Sequence, residues 1–93
     1  MPDNYVLVML KIDLQINSPA ADNYLNEIIK SAREAITIEG ITLDDSNHAD
    51  GMLIEMYAAY LYRARHGDDK GMPRMLRYQL NNRLLSEKAK TNA

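Results

Sequence analysis

The sequence predicts an all-α protein, a small compact bundle of about four helices, and three observations predict it. Apolar residues recur at spacings of three and four along most of the chain, which is the periodicity of amphipathic helices. Turn and capping signals at Ser18-Pro19, Gly40 and the GDDKG segment separate these stretches. The length of 93 residues suits one domain, and we expect residues 1–88 to form it and residues 89–93 to be a disordered tail.

The first predicted helix lies near the start of the chain and is apolar nearly all round. Val6 and Leu10 fall at helical spacing after a capping residue at Asp3 or Asn4. The alternation of apolar residues over 12–16 would also suit a strand, but the helical spacing is favoured.

The second predicted helix is the clearest element. Ser18 is placed to cap its free N–H groups, and Pro19 suits a first helical position because no N–H is needed there. The helix is predicted to end at Gly40. The residues predicted for its buried face are Leu25, Ile28, Ile29, Ala32 and Ile36.

A loop rich in turn residues follows, and the third helix is predicted to begin within 45–50 and to end near Arg65. We interpret the acidic residues of this loop as helix caps. The GDDKG segment, residues 67–71, breaks the helix. The predicted buried stripe consists of Met52, Leu53, Met56, Tyr57, Tyr60 and Leu61.

The fourth helix is predicted to begin at Pro73. Leu76, Leu80, Leu84 and Leu85 are expected to face inward. After them the chain becomes polar, which favours a disordered C-terminal segment.

Composition limits the core and the class of protein. No Phe or Trp is present, so the core must be thin, and oligomerisation is a common way for a small domain to gain stability.

The absence of cysteine excludes disulfides and thiolate zinc sites, and it fits a reducing cytoplasm. Apolar runs such as residues 5–10 are too short to span a membrane, and no signal peptide is evident.

No catalytic, cofactor-binding or metal-binding motif is found, so we do not expect an enzyme. His48 and His66 lack the spacing of a metal site. An EF-hand alignment around Gly51 fails, because it would place Ser46 at the first and Tyr57 at the twelfth ligand position.

Charge is distributed unevenly along the chain. Residues 1–61 hold three basic and ten acidic residues, a net charge of −7, whereas residues 62–93 hold eight basic and three acidic residues, a net charge of +5. Such a chain suits head-to-tail association, in which the basic surface of one subunit meets the acidic surface of the next. The candidate contacts with another subunit or a partner are Arg63, Arg65, Arg74, Arg77 and Arg83.

Two alternatives for these arginines remain. They could simply coat a solvated helix face, or the GDDKG turn and the basic helix after it could form a nucleic-acid-binding helix-turn-helix. Two aspartates in that turn would repel phosphate, and the isoelectric point of about 5.6 is low for a DNA-binding domain. Subunit contacts are therefore favoured over nucleic-acid binding.

Five short motifs are spread along the chain: Leu10-x-Ile12, Asp22-x-x-Leu25-x-x-Ile28-Ile29-x-x-Ala32, a glycine closing that helix, Tyr60-Leu61-Tyr62-Arg63 and Met72-Pro73. This pattern resembles that of a known family, the small helical head-tail connector proteins of tailed bacteriophages and prophages, also described as head-completion or DNA-packaging proteins. The similarity spans nearly the whole chain. One departure is the segment after the proline, which is predicted to be a full helix here.

The resemblance implies a structural subunit without catalytic activity. It implies a homo-oligomeric ring of about 12–13 copies, formed by the free chain or only on the portal protein, that extends the DNA channel and offers a platform to the tail or stopper protein. DNA would pass through without sequence-specific binding, and no cofactor or membrane would be involved. The location would be the virion neck, or the host cytoplasm during assembly.

Overall fold

A computed structural model describes residues 3–67 and 70–91. These residues form four α-helices and one short 3-10 turn and contain no strand, so the predicted all-α bundle is confirmed. The central helix, α3, packs against the other three. The elements are α1 (Asp3–Leu14), the 3-10 turn (Pro19–Ala21), α2 (Asp22–Ile38), α3 (His48–Arg65) and α4 (Arg74–Thr91).

Side chains fix the starts of two elements. The Ser18 hydroxyl accepts a hydrogen bond from the Ala20 N–H at 3.1 Å, as predicted for a cap, although the turn that it caps is the 3-10 turn. The cap of α3 is Asn47, whose side-chain oxygen accepts from the Ala49 N–H at 2.8 Å. The interpretation of the loop acids as caps was therefore wrong, because the amide oxygen of Asn47 occupies that position.

The core is built from the inner faces of all four helices. Every residue predicted for the buried face of α2 is buried. On α3, Leu53 and Tyr57 are buried as predicted. The other residues predicted for the α3 stripe are only partly covered: Met52, Met56, Tyr60 and Leu61. The buried apolar residues are Val6, Leu10, Leu25, Ile28, Ile29, Ala32, Ile36, Ile41, Leu53, Ile54, Tyr57, Ala58, Ala59, Leu76 and Leu80.

α4 differs from its prediction at two places. Leu85 is 64% exposed, so its predicted inward position is wrong, whereas Leu84 packs on the core as predicted and reaches Gly40. The helix also continues to Thr91, into the 89–93 segment predicted to be disordered. Residues 92 and 93, and Asp68 and Asp69 of the GDDKG turn, lie outside the described residues.

Within the described part of the chain, none of the helices combines the length and the hydrophobicity that a membrane span requires.

Candidate interaction surface

Arg83 is the most buried of the five candidate arginines. Its side chain is 13% exposed, and its Nε and Nη2 donate to Oδ1 and Oδ2 of Asp50 at 2.7 and 3.2 Å. Nη2 also donates to the Thr42 carbonyl oxygen at 2.7 Å. The hydrogen bonds to Asp50 raise the pKa of Arg83 further above its usual value. This guanidinium joins α4 to α3 and to the loop before it, within one subunit.

Arg77 also has its partner inside the chain. Its Nη2 donates to Oε1 of Glu39 at 2.6 Å, and its Nε donates to the side-chain oxygen of Asn81 at 3.3 Å. The side chain is 44% exposed, so its charge is partly screened by water. The pair ties the first turns of α4 to the end of α2.

Arg63 contacts α1. Its Nη2 lies 3.3 Å from Oδ1 of Asp13, and both side chains are about half exposed. Asp13 in turn forms a hydrogen bond with Glu55, a buried acid that lies two turns before Arg63 on α3. The sequence did not single out Glu55, although a lone acid within the apolar run MLIEMYAAY was a signal that could have found it.

The two remaining candidates are available for outside contacts. Arg65 lies in the last turn of α3 and Arg74 at the start of α4. Both are exposed, and the described residues offer neither of them an ion-pair partner. The five arginines therefore do not form one surface, because three of them stabilise the subunit itself.

The uneven charge along the chain is partly balanced inside the subunit by three ion pairs. Basic residues of the last third pair with acidic residues of the first two thirds across distances of 33 to 50 residues in sequence. Charge alone therefore supports head-to-tail association less than the sequence suggested. The pairs are Arg63–Asp13, Arg77–Glu39 and Arg83–Asp50.

Apolar side chains mark the outer face of α4. Met75, Tyr78 and Leu85 are each about 60% exposed, and with Asn82 they follow one line at spacings of three and four. Arg74 borders this line. We call Met75, Tyr78, Asn82 and Leu85 the α4 stripe. It lies on the side of the helix opposite to the buried Leu76 and Leu80.

α1 has a similar outer face. Tyr5, Val8 and Ile12 are 37, 48 and 65% exposed, again at spacings of three and four, while Val6 and Leu10 are buried on the inner side. We call Tyr5, Val8 and Ile12 the α1 stripe. A helix that is apolar all round normally has partners on all sides, but α1 has them on one side only.

The two stripes lie on different parts of the surface. α1 packs on α2 and α3, whereas α4 packs on α3. α1 and α4 do not pack extensively on each other, and one subunit presents two distinct apolar lines.

An aromatic cluster surrounds the end of α3. The rings of Tyr62 and His66 stack with centroids 4.0 Å apart, and Tyr24 from α2 approaches both rings at about 6 Å. The Nδ1 atom of His66 lies 2.7 Å from the Tyr62 carbonyl oxygen, which also accepts the backbone N–H of His66 at 3.1 Å. His66 thus has a structural role as the residue that ends α3.

Comparison with protein-family models, with curated proteins and with solved structures finds no match to this chain. The function of this chain is therefore inferred from its residues and their geometry. Within the described residues no group of three or more metal-ligating side chains occurs. The α1 stripe and the α4 stripe are the exposed apolar surfaces suited to contact with a partner protein.

Proposed function

We propose that this protein is a structural subunit of a phage or prophage head-tail connector, which forms a ring under the portal protein and extends the DNA channel toward the tail. The observation that carries the proposal is the pair of separate apolar stripes on one small subunit. Head-to-tail assembly needs two different surfaces on every copy, and a rotation that closes gives a ring. The resemblance of residues described above supplies the phage context.

In this assembly the α4 stripe of one copy packs on the α1 stripe of the next. Both stripes are helical and apolar, and each repeats at the three-and-four spacing by which helices pack together. Arg74 lies at the edge of the α4 stripe. A charged residue at the rim of an interface helps to fix how the two subunits are oriented, more than it strengthens their binding. The ring would act in the virion neck, after assembly in the host cytoplasm.

Native mass spectrometry over a range of concentrations tests the proposal. We expect the wild-type chain to form a closed species of about 12–13 copies, either alone or with purified portal protein. A wild-type chain that stays monomeric even with portal protein present would contradict the proposal.

Two variants with one damaged stripe each test the head-to-tail arrangement. The first carries Val8→Glu and Ile12→Glu on α1, and the second carries Met75→Glu and Tyr78→Glu on α4. Neither variant should form a ring, but a mixture of the two should give a one-to-one dimer, because one intact α1 stripe and one intact α4 stripe remain. Asn26→Glu, at an exposed position of α2, is the control and should form the normal ring.

The mixing experiment also separates this arrangement from a symmetric dimer. If α4 paired with α4 of a second copy, the α1 variant alone would dimerise and the α4 variant would not join it. That result would overturn head-to-tail assembly.

A second candidate function is nucleic-acid binding, favoured by the exposed Arg65 beside the ring cluster of Tyr24, Tyr62 and His66. Arginine and stacked aromatic rings together suit single-stranded nucleic acid. The test is binding of a labelled oligonucleotide at several salt concentrations. Binding that weakens steeply with salt, and that is lost in Arg65→Ala, would favour this function over the connector.

A further inference from the structure

A buried acid links α1 to α3. Glu55, on α3, is 6% exposed and forms a hydrogen bond with Asp13 of α1. Asp13 also pairs with Arg63, two turns further along α3. Oε2 of Glu55 is buried and has no hydrogen-bond partner in the described residues. An unpaired buried oxygen costs far less on a neutral carboxyl group than on a carboxylate.

The environment of Glu55 favours its neutral form. Burial, then the hydrogen bond and the negative charge of Asp13, raise the pKa of Glu55 from 4.5 to about 8, while Arg63 acts in the opposite direction. The charged groups that shift this pKa are Asp13 on α1 and Arg63 on α3. At neutral pH Glu55 therefore holds its proton and donates it in the hydrogen bond to Asp13.

The segment directly after α1 has the features of a hinge. Gln15 has φ of 58°, in the left-handed region that a residue with a side chain adopts at a cost. The Ile16 N–H donates back to the Lys11 carbonyl oxygen at 2.9 Å, which ends the helix there. Near the same end, the Lys11 Nζ lies 2.7 Å from Oδ1 of Asp22 and provides a second polar contact between α1 and the rest of the bundle.

We propose that Asp13, Glu55 and Arg63 form a proton-operated latch that holds α1 on α3 and releases α1 when Glu55 loses its proton. Deprotonation places the buried Glu55 carboxylate beside the Asp13 carboxylate. The single guanidinium of Arg63, which is 44% exposed, cannot neutralise both charges. Release turns α1 about Gln15 and uncovers Val6 and Leu10.

The direction of the pH effect follows from the two states of Glu55. Its pKa is about 8 with α1 closed and returns to the ordinary 4.5 when α1 opens into water. The open state therefore binds fewer protons, and the equilibrium constant for opening rises about tenfold per pH unit between about pH 5 and pH 8 and levels off above.

Hydrogen exchange followed by mass spectrometry tests the latch on the full chain. In the wild type, after correction for the intrinsic exchange rate, protection of the α1 amides should fall about tenfold per pH unit between about pH 5 and pH 8. The free energy of global unfolding also falls with pH, so protection of the α2 amides should fall too, but it should stay well above α1 protection at every pH. In Glu55→Gln, the amide can still donate to Asp13 but cannot ionise, so α1 protection should not change with pH.

Two control variants separate the latch from general weakening of α1. Asp22→Asn removes the ion pair with Lys11, so it should lower α1 protection at every pH and leave the pH slope unchanged. Glu34→Gln alters an exposed acid of α2 and should behave as the wild type.

Three results would overturn the proposal. The first is α1 protection that does not depend on pH in the wild type, and the second is the same pH slope in Glu55→Gln as in the wild type. The third is α1 protection equal to α2 protection at every pH, because it would mean that α1 opens only when the whole domain unfolds and that no hinge exists at Gln15.

Discussion

The guanidinium of Arg83 donates hydrogen bonds to both carboxylate oxygens of Asp50 across the α3–α4 contact. Nε and Nη2 donate at 2.7 and 3.2 Å, and Asp50 is only 1% exposed. Oδ2 of Asp50 also accepts from the Asp44 N–H at 2.9 Å. The pair thus holds together α4, the first turn of α3 and the loop before it.

Replacing one member of this pair should be strongly destabilising. Arg83→Ala leaves the Asp50 carboxylate buried without its charge partner, which costs about 3–5 kcal/mol. Urea unfolding should show that loss, and Lys88→Ala, at an exposed position of the same helix, should stay within about 0.5 kcal/mol of the wild type. The double variant Arg83→Ala with Asp50→Ala should recover part of the loss; full additivity of the two single changes would show that the residues do not act as a pair.

The sequence could not reveal this pair, because 33 residues separate its members and both are charged residues that most often lie in water. Helical spacing predicts which apolar residues share a face, and it correctly predicted the buried face of α2. It says nothing of which charged side chains meet across the bundle. That is why three of the five arginines predicted for a partner surface lie in contacts within the subunit.

Arg77 should matter less to stability than Arg83. Its pair with Glu39 is short, at 2.6 Å, but the arginine is 44% exposed, so Arg77→Ala should cost only about 1 kcal/mol or less. Urea unfolding at low and high salt should show a loss that shrinks as salt rises. A loss as large as that of Arg83→Ala would mean that water does not screen this pair.

Arg74 gives a clean test of assembly because it has no ion-pair partner in the described part of the subunit. Arg74→Glu should weaken the ring in native mass spectrometry and leave the far-ultraviolet circular dichroism and the urea midpoint unchanged. Arg77→Glu would not be equally clean, since it also breaks the contact with Glu39. Normal assembly of Arg74→Glu would place Arg74 outside the subunit contact.

Replacing Gln15 with glycine should increase the stability of the folded chain. With φ of 58°, this residue occupies the conformation that glycine adopts without steric cost, so Gln15→Gly should raise the free energy of unfolding by up to about 1 kcal/mol. Gln79→Gly, in the interior of α4, is the matched control and should lower it by about 1 kcal/mol. A loss of stability in Gln15→Gly would show that the αL position carries little strain.

How far the surface could be predicted differs between the two stripes. α1 was recognised as apolar nearly all round, and that pattern on a helix of a small domain already implies an uncovered face. The sequence does not predict the α4 stripe, because helical spacing puts Leu84 and Leu85 both on the inner face. That only Leu84 turns inward depends on the rotation of α4 about its axis, which the Arg83 and Arg77 contacts help to fix. Such a rotation is a tertiary property that spacing within one helix does not contain.

The stability of the whole domain should decrease with pH because of Glu55. Its pKa is about 8 in the folded chain against 4.5 for an ordinary glutamate, so the folded state binds the extra proton between these values. The free energy of unfolding should fall by up to about 1.4 kcal/mol per pH unit across that range and level off above it. Urea unfolding from about pH 5 to pH 9 measures this, and Glu55→Gln should abolish most of the slope and be the more stable chain at pH 9. If Glu55→Gln were instead the less stable chain at that pH, ionised Glu55 would have to be stabilised by Arg63 more than burial and Asp13 destabilise it.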